Sequence, residues 1–97
     1  MTILNDQTFD QFINNGKVTV TFSAEWCGPC KAMTPILEKI ETSHEGRVAK
    51  VDVDASSEIS AKYNIRSIPT TLVFLNGEVV DKKVGGLGVD EIIALLN

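Results

Sequence analysis

Several features that would assign a chain quickly to a functional class are missing here. No apolar run approaches the roughly 20 residues of a membrane-spanning helix, and the first residues, MTILNDQTFDQF, have neither the basic start nor the apolar core of an export signal. The expectation is a soluble, cytoplasmic protein. Basic residues are in the minority, 9 against 13 acidic, and the net charge of −4 has the wrong sign for phosphate backbones or anionic lipid. Nucleic acid and membrane surfaces are thereby excluded as partners. Metal ligands are scarce: two cysteines and one histidine cannot complete a four-ligand zinc site, and His44 falls at the far end of the helix that begins beside the cysteines. No repeat, low-complexity tract or linker divides the sequence, so residues 1–97 are read as one domain. A chain of 97 residues buries roughly 60 to 70% of its unfolded surface, enough for a core without a disulfide framework.

What is present is a regular alternation of strand and helix patterns. Met1 to Leu4 reads as a short strand, after which Asn5 or Asp6 is expected to cap a helix with Phe9, Phe12 and Ile13 on its apolar face. Val18, Val20 and Phe22 alternate with Thr19, Thr21 and Ser23, the period of a strand. From Gly28 to about Ser43, Met33, Ile36, Leu37 and Ile40 recur at helical spacing, with Gly46 as terminator and Pro35 as a kink. Arg47 to Asp54 reads as a strand and Ser57 to Tyr63 as a short helix. Thr71 to Leu75 and Glu78 to Val84 flank Asn76-Gly77, a strong hairpin signal, and Val89 to Leu96 closes the chain as a helix. The order β-α-β-α-β-α-β-β-α implies an α/β fold: parallel crossovers first, an antiparallel hairpin last, and helices on both faces of a mixed sheet.

Both cysteines lie in the stretch TFSAEWCGPCK, separated only by Gly28 and Pro29. Covalent haem attachment fails because Lys31 stands where a histidine should follow. A structural staple is a poor use of the pair, since closing so short a loop stabilises by only about 2 kcal/mol. Redox exchange remains, and the local sequence suits it. Pro29 belongs in a helix's first turn, which puts Cys27 at the helix N-terminus among free amide donors, an environment that favours thiolate. Cys30, one turn further in, keeps its proton longer. Cys27 is therefore read as the attacking thiol and Cys30 as the thiol that resolves the mixed disulfide. A more acidic thiol is also a weaker nucleophile, so most of the rate must come from alignment of the partner disulfide.

Taken together, WCGPCK, the lysine in AKVDVD, IRSIPT, LVFLNGE and KVGGL resemble the thioredoxin family, in that family's order and spacing, over nearly the whole chain. The resemblance implies a thioredoxin fold, a sheet of about five strands flanked by about four helices. It implies a protein-disulfide reductase working by dithiol exchange in cell redox homeostasis, with no cofactor beyond the Cys27–Cys30 disulfide and no metal. It further implies a monomer that takes disulfide-containing proteins as substrates and electrons from a flavin-dependent thioredoxin reductase. Residue by residue, Cys27 and Cys30 carry the exchange, supported by Trp26, Gly28 and Pro29. Pro69 matches the family's cis-proline, where the backbone of Ile68 can pair with an extended peptide as an added strand. Val84 and Gly85 match the loop that completes this groove. The competing reading is a thioredoxin-like binding subunit that holds a partner through the same surface and whose thiols are incidental.

One strand departs from the family's pattern. A buried aspartate usually stands six residues before the first cysteine, paired with a lysine and credited with moving the resolving thiol's proton. Thr21 occupies that position here, while the lysine counterpart, Lys50, is present. A threonine hydroxyl exchanges hydrogen bonds but does not titrate near neutrality, so the expectation is slower deprotonation of Cys30 and a Lys50 amine that must reach solvent or another polar group. Ser23 stands where the family often has tryptophan, which leaves the surface beside the site more open.

Overall fold

The computed structural model describes all residues 1–97. Nine elements follow the expected order: β1 (Ile3–Leu4), α1 (Phe9–Ile13), β2 (Lys17–Ser23), α2 (Gly28–Ser43), β3 (Val48–Asp52), α3 (Ser57–Lys62), β4 (Thr70–Leu75), β5 (Glu78–Val84) and α4 (Val89–Leu96). They build one five-stranded sheet in the order β1-β3-β2-β4-β5. β1, β3 and β2 run parallel, as the crossover helices require, and β4 and β5 join antiparallel to complete a mixed sheet. No helix is long and apolar enough to cross a membrane.

Alternation along β2 decides what each face of the sheet meets. Val18, Val20 and Phe22 point into the larger core, with Ala49 and Val51 of β3, Leu72 and Phe74 of β4, Phe9 and Ile13 of α1 and Ile59 of α3. Phe9, Tyr63 and Phe74 meet there with centroids 5.5 to 5.6 Å apart. On the opposite face, Met33, Leu37 and Ile40 of α2 pack with Ile92 and Leu96 of α4 over Val48. That face also carries the polar half of β2, Thr19, Thr21 and Ser23, all of them buried.

Several boundaries differ from the sequence expectation by a residue or two, and two of them share a reason. The Asn5 side chain accepts the backbone N–H groups of Gln7 and Thr8, which closes a turn and delays α1 until Phe9. The Asp52 side chain accepts from Asp54 and Ala55, ending β3 at residue 52 rather than 54. Pro35 is accommodated inside α2 without ending it. The hairpin turn has positive φ at Asn76 and Gly77, 51° and 91°, and its two amides donate to the carbonyls of Gly16 and Ile13. An added Cβ at Gly77 would lie 2.5 Å from Asn14 Oδ1, so both conformation and space require glycine.

β5 forms one edge of the sheet, and every residue in it is exposed. A register shift opposite Val73 and Phe74, together with Asp81, Lys82 and Lys83, blunts this edge against further pairing.

Candidate active site

The segment joining β2 to α2 holds the two cysteines. Cys27 is the N-cap of α2, with extended backbone angles, and its sulfur accepts the N–H of Cys30 at 3.2 Å. The sulfur thus takes the role that a serine or aspartate oxygen plays at other helix starts. Pro29 lies in the first turn, where a missing N–H leaves no hydrogen bond unmade. The free amides and the positive end of the helix dipole both stabilise negative charge on Cys27 Sγ. Cys30 follows one turn later, its Cα 5.2 Å from that of Cys27, and the two sulfurs are joined as a disulfide. Both cysteines are buried, whereas Gly28 and Pro29 between them are exposed.

Across from this turn the chain enters β4 through a cis bond between Ile68 and Pro69. Cys27 Sγ lies 4.0 Å from the carbonyl oxygen of Ile68. Neither the N–H nor the C=O of Ile68 makes a backbone hydrogen bond, which leaves both open to an extended peptide. The buried Pro69 accepts the N–H of Gly85 at 2.8 Å, and Gly85 holds φ at 101°, a left-handed conformation suited to glycine. Val84, in register with Thr70, is 62% exposed. Trp26, 70% exposed on the other side of Cys27, donates its indole N–H to Asp54 Oδ2 at 2.8 Å. The sequence reading missed Asp54 in this role, though its signal was there: the second aspartate of AKVDVD, two residues past the end of β3.

Thr21 and Lys50 are in register on adjacent strands, yet no hydrogen bond joins their side chains. Thr21 Oγ1 is hydrogen-bonded to Thr71 Oγ1 on the other neighbouring strand. Lys50 Nζ donates instead to Thr34 Oγ1 at 3.0 Å, and that hydroxyl donates to the carbonyl of Cys30. Thr34 and Thr71 are further residues that the sequence reading did not single out, since cross-strand and helix-to-strand partners depend on register. Beside them is a cavity of about 400 Å³ whose walls include Ser23, Cys30, Thr34 and Lys50. His44 caps the far end of α2, its Nδ1 3.3 Å from the carbonyl of Ile40, and no group of three His, Cys, Asp or Glu side chains converges to hold a metal.

Comparison with known proteins agrees with this geometry. The thioredoxin family model matches residues 1–97. A thioredoxin from Mycoplasmoides gallisepticum is 44% identical over 96 residues, which are 97% of this chain and 96% of that protein. A thioredoxin from Staphylococcus aureus is 44% identical over 84 residues, 84% of this chain and 81% of its own. Among solved structures, Plasmodium falciparum thioredoxin superposes with a TM-score of 0.87 at 37% identity, covering 99% of this chain and 96% of its own. A mutant thioredoxin from Halobacterium salinarum gives 0.88 at 33% identity, covering 98% and 86%.

Proposed function

The chain belongs to the thioredoxin family and is a thiol-disulfide oxidoreductase, and we propose that within it Cys27 attacks and Cys30 resolves. The observation that carries these roles is the bond from the Cys30 N–H to Cys27 Sγ at the start of α2. Only one of the two sulfurs has that donor, and a thiolate there is stabilised before a substrate arrives. Cys27 thiolate attacks one sulfur of the partner's disulfide, forming a mixed disulfide and releasing the partner's other sulfur as thiolate. Cys30, once deprotonated, attacks Cys27 Sγ, closes the Cys27–Cys30 bond and frees the second partner sulfur. The partner leaves with two electrons and the chain is left oxidised.

In this reading the substrates are proteins whose disulfides lie in extended segments that pair with Ile68 beside Trp26, Val84 and Gly85. Its support is the unbonded backbone of Ile68 next to Cys27 and the exposed Trp26 and Val84 flanking it. The reading includes a single-domain, monomeric, cytoplasmic protein reduced again by a flavin-dependent thioredoxin reductase, with no cofactor beyond its own disulfide. Two cysteines joined as a disulfide at the start of α2 count against a binding subunit with incidental cysteines.

Insulin reduction in the presence of dithiothreitol tests the proposal. Cys27→Ser should abolish activity, and Cys30→Ser should accumulate a covalent complex through Cys27. Activity surviving Cys27→Ser would overturn the assignment, and a coupled assay with candidate reductases would identify the donor.

A further inference from the structure

No side-chain base is hydrogen-bonded to Cys30 to take the proton it loses in the second half of the reaction. Thr21, in register with Lys50 beneath α2, spends its hydroxyl on Thr71. Asp52 and Glu25 border the cavity that reaches Cys30, but neither carboxylate is hydrogen-bonded to Cys30: Asp52 Oδ1 holds the turn after β3 and Glu25 is exposed to solvent. What the cavity offers is the opposite chemistry. Lys50 extends its ammonium to it, half-buried and with no carboxylate within ion-pair distance. Ser23 lines the same cavity, and its hydroxyl, which makes no hydrogen bond within the chain, is open to it. A hydroxyl free to donate into the cavity and a cation without a counterion both favour an anionic acceptor placed between them.

We propose that this cavity is a site for a small oxyanion with a basic oxygen, of the carboxylate or bicarbonate class, which binds against the Lys50 ammonium and the Ser23 hydroxyl and takes the proton of Cys30. The proposal rests on the assignment of Cys30 as the resolving thiol. In the step, the Cys30 S–H proton passes to an oxygen of the anion, and the Cys30 thiolate attacks Cys27 Sγ. The Cys27–Cys30 bond forms, the bond from Cys27 to the partner sulfur breaks, and the partner thiolate leaves with the electron pair. The protonated anion then exchanges with solvent through the cavity mouth. Lys31 at that mouth adds a second positive charge, while Glu25 and Asp52 offset the two lysines, so binding is weak, on the order of millimolar. A cavity of about 400 Å³ admits such an anion with water to spare.

The experiment isolates ring closure. The reduced full chain is treated with a methanethiosulfonate, which loads a methylthio group on Cys27 faster than Cys30 displaces it, and closure is followed by acid quench and mass spectrometry. Acetate or bicarbonate is titrated at fixed pH and ionic strength, with chloride making up the salt. The closure rate should rise about fivefold and saturate with either oxyanion, bicarbonate acting more strongly as the better base, and should stay flat in chloride. Lys50→Met and Ser23→Ala should each remove the saturation. Thr21→Asp, which places a carboxylate in register with Lys50, should make the rate indifferent to added anion. A wild-type rate that does not respond to either oxyanion overturns the proposal, as does a linear rise that survives Lys50→Met, because that is catalysis from bulk solvent without a site. Failure of the underlying assignment looks different: Cys30→Ser would then lose the methylthio group as fast as wild type.

Discussion

The hydroxyls of Thr21 and Thr71 lie 2.9 Å apart across the β2–β4 ladder, 1% and 0% exposed, and each finds in the other the partner that its burial demands. This pairing accounts for a polar residue at the centre of β2 without any titrating role. It also turns Thr21 away from Lys50, leaving the lysine to Thr34. Replacing Thr21 with aspartate should reverse this arrangement. Closure of the Cys27–Cys30 bond near neutral pH should accelerate about tenfold in stopped-flow reduction of a model disulfide, whereas Thr21→Val should leave closure unchanged and cost about 1 kcal/mol by stranding the Thr71 hydroxyl. No acceleration with aspartate would remove any mechanistic meaning from the threonine.

Thr19, two residues earlier on the same face, lacks such a partner. Its hydroxyl is fully buried and makes no hydrogen bond. Thr19→Val keeps the shape and removes the stranded polar group, so it should stabilise the fold by about 1 kcal/mol, a rise in melting temperature of about 5 °C. A fall measured by calorimetry would mean that the hydroxyl has a partner after all.

Gly77 is constrained twice, by its φ of 91° and by Asn14 Oδ1 at 2.5 Å from where a Cβ would sit. Asn14 cannot yield freely, because its side chain donates to the carbonyl of Asp10 at 2.8 Å. Gly77→Ala should therefore destabilise by about 2 kcal/mol in urea unfolding. Adding Asn14→Ala should recover the part due to the clash and leave the part due to backbone conformation.

Asp54 steadies Trp26 from the end of β3 through the indole N–H. Asp54→Ala should lower kcat/KM for insulin by about fivefold, the equivalent of about 1 kcal/mol, through loss of a positioned aromatic wall. Reduction of a small disulfide that does not touch Trp26 should change little. Equal losses with both substrates would point to the sulfurs rather than the wall.

Most of the architecture was legible in the sequence because its signals are local. The helical spacing of Met33, Ile36, Leu37 and Ile40, the alternation along β2 and the Asn76-Gly77 pair each depend on neighbours only a few residues away. The start of α1 and the end of β3 were misjudged because Asn5 and Asp52 use their side chains to close turns, and either residue would have served as well in the element assigned to it. At the site, the cysteine pair was readable from its own spacing, and the cis bond at Pro69 from family resemblance alone. The Thr21–Thr71 pair, the Lys50–Thr34 bond and the Trp26–Asp54 bond join residues 50, 16 and 28 positions apart. Which strands neighbour one another decides such pairs, and alternation along a single strand carries no information about that.

The exposed edge strand β5 divides the site mechanically. Cys27 and Cys30 hang from β2 and α2, whose residues fill both cores, while Val84 and Gly85 belong to or adjoin a strand with no buried residue. Separating β5 from β4 breaks ladder bonds but exposes little apolar surface, so it should open at a fraction of the free energy of global unfolding. Hydrogen exchange would show this as weak protection along β5 beside slow exchange in β2. The segment around Val84 and Gly85 can then move while the sulfur geometry stays unchanged, so compliance beside the disulfide becomes a property of the sheet's margin rather than of its chemistry.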